Sequence, residues 1–148
     1  MNARNAPEFA IADELPAKVA PGVYELAYVS HETARMFRGR AHKLIMHFRI
    51  VTMGEFFEIE VPRYYNVQNV SPKRRKSGHF KAGLKSDFLR EYCTLFPGRI
   101  GLRDRIPMAP FKESIISGRV STVTEARGRP IPSELQYSRI EQLLGVKK

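Results

Sequence analysis

The chain has 148 residues, 43% of them hydrophobic, and a formal net charge of +10. This length favours one domain with a real core, and no run of about 18 apolar residues is present to span a membrane. The first seven residues lack the apolar segment of a secretory signal, and a single cysteine, Cys93, excludes an internal disulfide. A cytoplasmic protein with an anionic partner is therefore expected.

Two strands are predicted after an N-terminal arm, residues 1–20, that has no clear periodicity. Alternation of side chains predicts the first strand over 23–30 and the second over 43–51. One face of the second strand is entirely apolar and is expected to be buried: Leu44, Met46, Phe48 and Ile50. The opposite face, with Lys43, His47 and Arg49, is expected to be exposed.

A third strand is predicted over 55–61, and Pro62 ends it because proline has no N–H for a ladder bond. The polar and basic residues 66–85 predict a long loop, which we interpret as a flexible arm. A helix is predicted over 86–96, with Ser86 as its N-cap. Its apolar stripe includes Phe88, Tyr92 and Leu95, and Cys93 is expected to be partly buried.

The C-terminal third contains one clear predicted strand, over 115–125, a turn over 127–130 and an ambiguous segment, 135–146. In that segment Tyr137 and Arg139 alternate as in a strand, whereas Ile140 and Leu143 have helical spacing. The element order predicts a mainly β fold formed by residues 21–148. We expect an OB-like five-stranded antiparallel barrel with one helix between strands 3 and 4.

Positive charge and aromatic residues are concentrated in residues 35–85, where twelve Lys or Arg against three Glu leave a net charge of +9. Cations neutralise phosphates, and aromatic rings stack on unpaired bases. In an OB-fold, oligonucleotides bind the face of strands 2 and 3 and the loops 1–2 and 4–5, and each of these places is basic here. We therefore expect a site for single-stranded nucleic acid, with DNA favoured over RNA and little sequence preference. Its predicted residues are Arg35, Phe37, Arg38, Arg40, Lys43, His47, Arg49, Tyr64, Lys73, Arg74, Arg75, Lys76, Lys81, Arg127 and Arg129.

Short motifs also resemble a loose class of proteins. The segments Pro21-Gly22-Val23-Tyr24, Lys43-Leu44-Ile45-Met46-His47-Phe48-Arg49-Ile50 and Tyr65-Asn66-Val67 resemble segments of small proteins from phages, plasmids and integrated elements. Residues 120–123 and 137–140 resemble the closing strands of that class. The resemblance implies an OB-type single-strand DNA-binding or replication-accessory protein of a mobile element, without catalytic residues.

A second interpretation stays open, in which the chain is a protein-interaction module, an inhibitor or adaptor, whose basic face binds an acidic partner. Formation of a homo-oligomer and RNA as the ligand also stay open. No cofactor, metal or enzyme activity is predicted. The four histidines lack the ligand spacing of a zinc site, and Glu55, Glu58 and Glu60 fit the outer face of the third strand better than a nuclease site.

Overall fold

A computed structural model describes residues 6–8, 17–100 and 105–147 of the chain. Its longer strands are β1 (Gly22–Met36), β2 (Ala41–Ile50), β3 (Glu60–Asn66), β5 (Ile115–Val123) and β8 (Tyr137–Val146). Three two-residue strands are β4 (Arg75–Lys76), β6 (Glu125–Ala126) and β7 (Arg129–Pro130). In the described residues, the helices are α1 (Asp87–Leu95), the short α2 (Ala109–Lys112) and a one-turn 3₁₀ helix at Ser133–Leu135.

The main sheet is antiparallel, with the strand order β3-β2-β1-β5-β8 and with β4 paired to the second half of β1. Hairpins join β1, β2 and β3, and β5 returns through a long connection to lie beside β1. This is a Greek-key arrangement. The two ends of the order, β3 and β8, approach within 8 Å between Cα atoms, but no ladder pairs them in the described residues. The predicted mainly β, antiparallel fold is confirmed, and the sheet is not closed by hydrogen bonds.

The core lies against the face of β2 that the alternation predicted. Leu44, Met46, Phe48 and Ile50 are each 0% exposed. Helix α1 covers this core: its N-cap Ser86 accepts a hydrogen bond from the Leu89 amide at 3.3 Å. Its buried face includes Phe88, Tyr92 and Leu95. The predicted second strand and the predicted helix are therefore confirmed.

The third strand lies further along the chain than residues 55–61. The Glu58 amide bonds to the Ile50 carbonyl at 2.7 Å, and Glu58 has a positive φ of 69°, so residues 54–58 form turns instead of a ladder. Pro62 lies inside β3, opposite His47 of β2. Among the residues that the structure describes, the ladder of β3 runs along one side only, and an edge strand tolerates a residue without an N–H.

The interpretation of residues 66–85 as a flexible arm is wrong for its central part. Arg75 and Lys76 form β4, opposite Thr33 and Glu32 of β1, and Gln68 bridges Lys81. Gly78 makes this approach possible, because a Cβ there would lie 1.9 Å from the Thr33 hydroxyl oxygen. Strand β1 itself continues to Met36, so the predicted loop of residues 31–42 is reduced to a turn at residues 37–40.

The ambiguous C-terminal segment is strand β8, paired along β5. Residues 17–20 of the predicted N-terminal arm attach to it: the Val19 amide donates to the Ser138 hydroxyl at 2.7 Å, and that hydroxyl donates to the Val19 carbonyl at 3.2 Å. Residues 1–5 and 9–16 of the arm lie outside the described residues.

Cys93 is exposed on α1, contrary to its expected partial burial.

Candidate nucleic-acid interface

A polar surface, here called the outer sheet face, lies on the side of the sheet opposite the core. Its central residues are Glu32 of β1, Tyr64 of β3, and Lys43, His47 and Arg49 of β2. Residues directly opposite each other in antiparallel strands project to the same side. Glu32, Ile45 and Tyr64 are such neighbours across three strands. Ile45 is only 1% exposed, so the polar residues surround a small buried apolar centre.

Tyr64 is half-buried on this face and has neighbours from two other parts of the chain. Burial raises the pKa of the Tyr64 hydroxyl; Tyr137 and Glu32 add to the rise, whereas Arg74 and Arg139 oppose it. Tyr137 and Arg139 of β8 are therefore near enough to Tyr64 to act on it electrostatically. Neither residue was predicted from the sequence to belong to the site. Their alternation in the ambiguous segment was the signal that could have found them.

Lys43 lies beside the same group of residues. Burial lowers the pKa of its ammonium group, and the charge of Arg139 lowers it further. Its Nζ donates to Asn66 Oδ1 at 2.5 Å, so the side chain is held against β3. The charges of Lys43 on β2 and Arg139 on β8 therefore repel each other, an arrangement that a phosphate group would stabilise.

Glu32 holds two of the predicted cations on the outer sheet face. Its carboxylate accepts a hydrogen bond from the Arg74 guanidinium and lies 3.6 Å from His47 Nε2. Burial pushes the pKa of Glu32 up, but the bond to Arg74 and the charges of Arg74 and His47 outweigh it and lower that pKa. Lys76 is directly opposite Glu32 in the ladder, so it projects from the same face. The neighbouring Arg75 is opposite Thr33 and projects to the other side.

The turn between β1 and β2 displays an aromatic ring. Phe37 is 54% exposed and has a φ of 54°, and the next residue, Arg38, has a φ of 59°. Residues other than glycine rarely adopt this left-handed conformation. Arg40 closes the turn, with its amide donating to the Phe37 carbonyl at 3.2 Å. Arg38 and Arg40 are both exposed, so the turn carries two accessible cations beside the ring.

The connection between β5 and β8 reaches the same place. Strands β6 and β7 form a hairpin whose two turn residues, Arg127 and Gly128, both have positive φ, of 53° and 75°. This is the geometry of a type I′ turn, for which glycine is favoured. The Arg127 guanidinium carbon lies 5.7 Å from the centre of the Phe37 ring, within the range of a cation–π contact. The two connections predicted to border the site are therefore in contact.

The remaining predicted residues fall into different environments. Arg35 Nε donates to the Val70 carbonyl at 2.9 Å, which ties β1 to the segment after β3. Arg49 is opposite Glu60 of β3 in the ladder, so the two side chains project from the same face of the sheet. Lys73 and Arg129 are exposed. Lys81 does not belong to the outer sheet face, because it lines a separate groove.

Comparisons with known proteins found no family model, curated protein or solved structure that matches this chain. Within the described ranges, no helix combines the length and apolar character needed to cross a membrane. In the same ranges, no three His, Cys, Asp or Glu side chains are grouped so that they could hold a metal ion.

Proposed function

We propose that this protein binds single-stranded DNA with little sequence preference, through an OB-like barrel. The strand order supports this fold, because an OB-fold is a five-stranded, partly open Greek-key barrel. The strands β1, β2, β3, β5 and β8 supply five strands in Greek-key order, and α1 lies between β3 and β5 in the chain. The approach of β3 to β8 is consistent with a barrel that stays partly open.

The meeting of two basic connections beside one basic sheet face carries the proposal. Arg127 contacts Phe37 at the tip of the β1–β2 hairpin, and Lys43 follows this tip on β2. An OB-fold binds oligonucleotides with the face of strands 2 and 3 and the two loops that border it. Two regions distant in sequence, residues 37–43 and the β6–β7 hairpin, thus supply cations and an aromatic ring to one part of the surface.

The chemistry of these side chains suits a single strand. Lysine and arginine neutralise phosphates regardless of the base. Phe37 and Tyr64 offer ring faces on which unpaired bases stack, and stacking depends little on base identity. In a duplex the base faces are already stacked on one another, so the rings favour a single strand.

Fluorescence anisotropy provides the direct test, with labelled oligonucleotides of about 16 nucleotides as single-stranded DNA, double-stranded DNA and RNA. Titrations at about 50 mM and about 200 mM salt separate phosphate contacts from stacking. We expect the tightest binding to mixed-sequence single-stranded DNA, with weaker binding at the higher salt concentration. Absence of binding at low salt would overturn the proposal, and a preference for duplex DNA or RNA would replace the proposed ligand.

A protein-interaction role is supported by a different observation. A large apolar groove lies between the segment before α1, α1 itself and the segment before α2. Its residues are not those of the outer sheet face, so the two functions do not compete for the same surface.

A further inference from the structure

The groove has a volume of about 1070 Å³ and an apolar floor with a basic rim. Phe80, Leu89 and Met108 contribute to the floor, while Lys81, Arg90 and Arg105 contribute cations. No Asp or Glu is found among the described residues that line it. Small-molecule pockets usually measure roughly 300–1,000 Å³, so this groove is at or above the upper end of that range.

The floor of the groove is held by the core. The Phe80 ring packs edge-on against Phe88, with ring centres 5.4 Å apart, and against His31, at 6.1 Å. His31 Nε2 is also within hydrogen-bond distance of the Gly78 carbonyl, at 3.2 Å. The groove is therefore preformed, which reduces the entropy that binding costs.

An apolar side chain on the rim is exposed to solvent. Leu84 is 94% exposed although it lies next to this apolar floor. Contiguous exposed apolar surface with a polar rim is typical of a site that binds a protein or an apolar ligand. The largely aliphatic lining disfavours a nucleic acid, because bases stack best on open aromatic faces and Phe80, the phenyl ring of the groove, is half-buried.

The charge of the rim defines the chemistry of the partner. Within the described residues, Lys81 and Arg105 make no ion pair, and Arg90 has only a long contact, 3.9 Å, to the exposed Asp87. Exposed pairs of this kind contribute little, so the rim is positive. We propose that the groove docks a segment of a partner protein in which acidic residues flank apolar ones. The apolar side chains of that segment would cover Leu84 and Leu89, and its carboxylates would pair with Lys81 and Arg105.

The test begins with random short peptides displayed on phage. Peptides are selected on the full-length protein and counter-selected on the double variant Lys81→Glu/Arg105→Glu. Enriched sequences are then made synthetically and their Kd is measured by anisotropy. We expect acidic–apolar peptides whose Kd is weakened at least about tenfold by the double variant, since reversed charges repel the carboxylates. The matched double Lys18→Glu/Arg119→Glu, at exposed cations outside the groove, should leave the Kd unchanged.

A second variant distinguishes a loss of peptide binding from a loss of folding. Leu84→Asp replaces a side chain that is almost fully exposed, so its thermal unfolding should match that of the wild type while the peptide affinity falls. Failure to enrich peptides, enrichment of neutral or basic peptides, or equal binding by Lys81→Glu/Arg105→Glu would overturn the proposal. So would displacement of the peptide by excess single-stranded DNA, or a rim-dependent self-association in sedimentation, which would make a second copy the occupant. Apart from the competition with DNA, none of these outcomes depends on whether the outer sheet face binds DNA.

Discussion

The guanidinium carbon of Arg127 lies 5.7 Å from the centre of the Phe37 ring. Each residue lies in the turn of a β-hairpin and has a positive φ. The contact joins the β1–β2 turn to the hairpin between β5 and β8, which are far apart in sequence. A phenyl ring that is 54% exposed and lies beside a cation can stack on a base while the cation contacts the adjacent phosphate.

Removal of the Phe37 ring should weaken the binding of single-stranded DNA without changing its electrostatics. We expect Phe37→Ala to cost about 1–3 kcal/mol of binding free energy, and to leave the slope of log K against log salt nearly unchanged. Anisotropy titrations at several salt concentrations measure both quantities. Val23→Ala is the matched control, because Val23 is an apolar residue 59% exposed on the other end of β1. Wild-type affinity in Phe37→Ala would exclude this ring from the site.

Neutralising the cations of the β1–β2 turn should reduce the salt dependence of binding, which Phe37→Ala is expected to leave nearly unchanged. In the double variant Arg38→Ala/Arg40→Ala we expect weaker binding for all sequences, and a shallower salt dependence. Each lost phosphate contact removes roughly 0.7 from the log–log slope for a single strand. Lys112→Ala/Arg119→Ala removes the same charge from exposed positions elsewhere and serves as the control. Equal slopes for the two double variants would show that the turn does not contact phosphates.

Glu91 should be required for stability because it is the centre of a buried polar cluster. Its carboxylate accepts hydrogen bonds from Arg63, from the Tyr65 hydroxyl at 3.0 Å and from the Leu143 amide at 2.7 Å. Burial raises the pKa of Tyr65, and the Glu91 carboxylate adds to the rise. Glu91→Ala would leave a buried guanidinium unpaired, at a cost of about 3–5 kcal/mol, measured by urea denaturation.

Two comparisons make the Glu91 prediction specific. Glu141→Ala, at an exposed residue of β8, should change stability by less than about 0.5 kcal/mol. The double variant Arg63→Met/Glu91→Leu should recover only part of the loss: an apolar pair of similar volume can replace a buried ion pair, but the Tyr65 hydroxyl and the Leu143 amide lose their acceptor. A loss below about 1 kcal/mol in Glu91→Ala would contradict the prediction.

Stability should fall on mild acidification because of His31. Burial lowers the pKa of this imidazole from 6.5; the bond to the Gly78 carbonyl opposes the change, while Lys112 and His79 lower the pKa further. The unfolded chain therefore binds the proton at a higher pH than the folded protein does. The stability from neutral His31 is fully present above a pH of about 6.5 and is lost as the pH falls below it.

Urea midpoints measured from about pH 7.5 to about pH 5.5 should show this decline in the wild-type protein. His31→Gln should flatten it, whereas His79→Gln, at an exposed histidine, should keep it. A decline of the same size in His31→Gln would assign the pH dependence to other groups.

Local patterns in the sequence were reliable where burial depends on one strand or one turn of helix. The period-two face from Leu44 to Ile50 was predicted and is fully buried, and Ser86 was predicted and found as a helix cap. The third strand was placed too early because Phe57 and Ile59 alternate as in a strand, although the backbone there turns. The backbone turns there because the Glu58 amide bonds to the Ile50 carbonyl and the Ile59 amide bonds to the Phe56 carbonyl. The third strand therefore begins only at Glu60.

The sequence alone determined that this chain is basic, has a core face on β2 and a capped amphipathic helix, and carries cations and rings in the same stretch. These are properties of composition and short-range periodicity. Tertiary structure decided that Tyr137 and Arg139 act on Tyr64 and that Arg74 binds Glu32. It also decided that Lys81 lines the apolar groove and does not belong to the outer sheet face. These residues come together because strands that are distant in the chain pair with one another. The energy of that pairing depends on the partner strand, which a short stretch of sequence does not include.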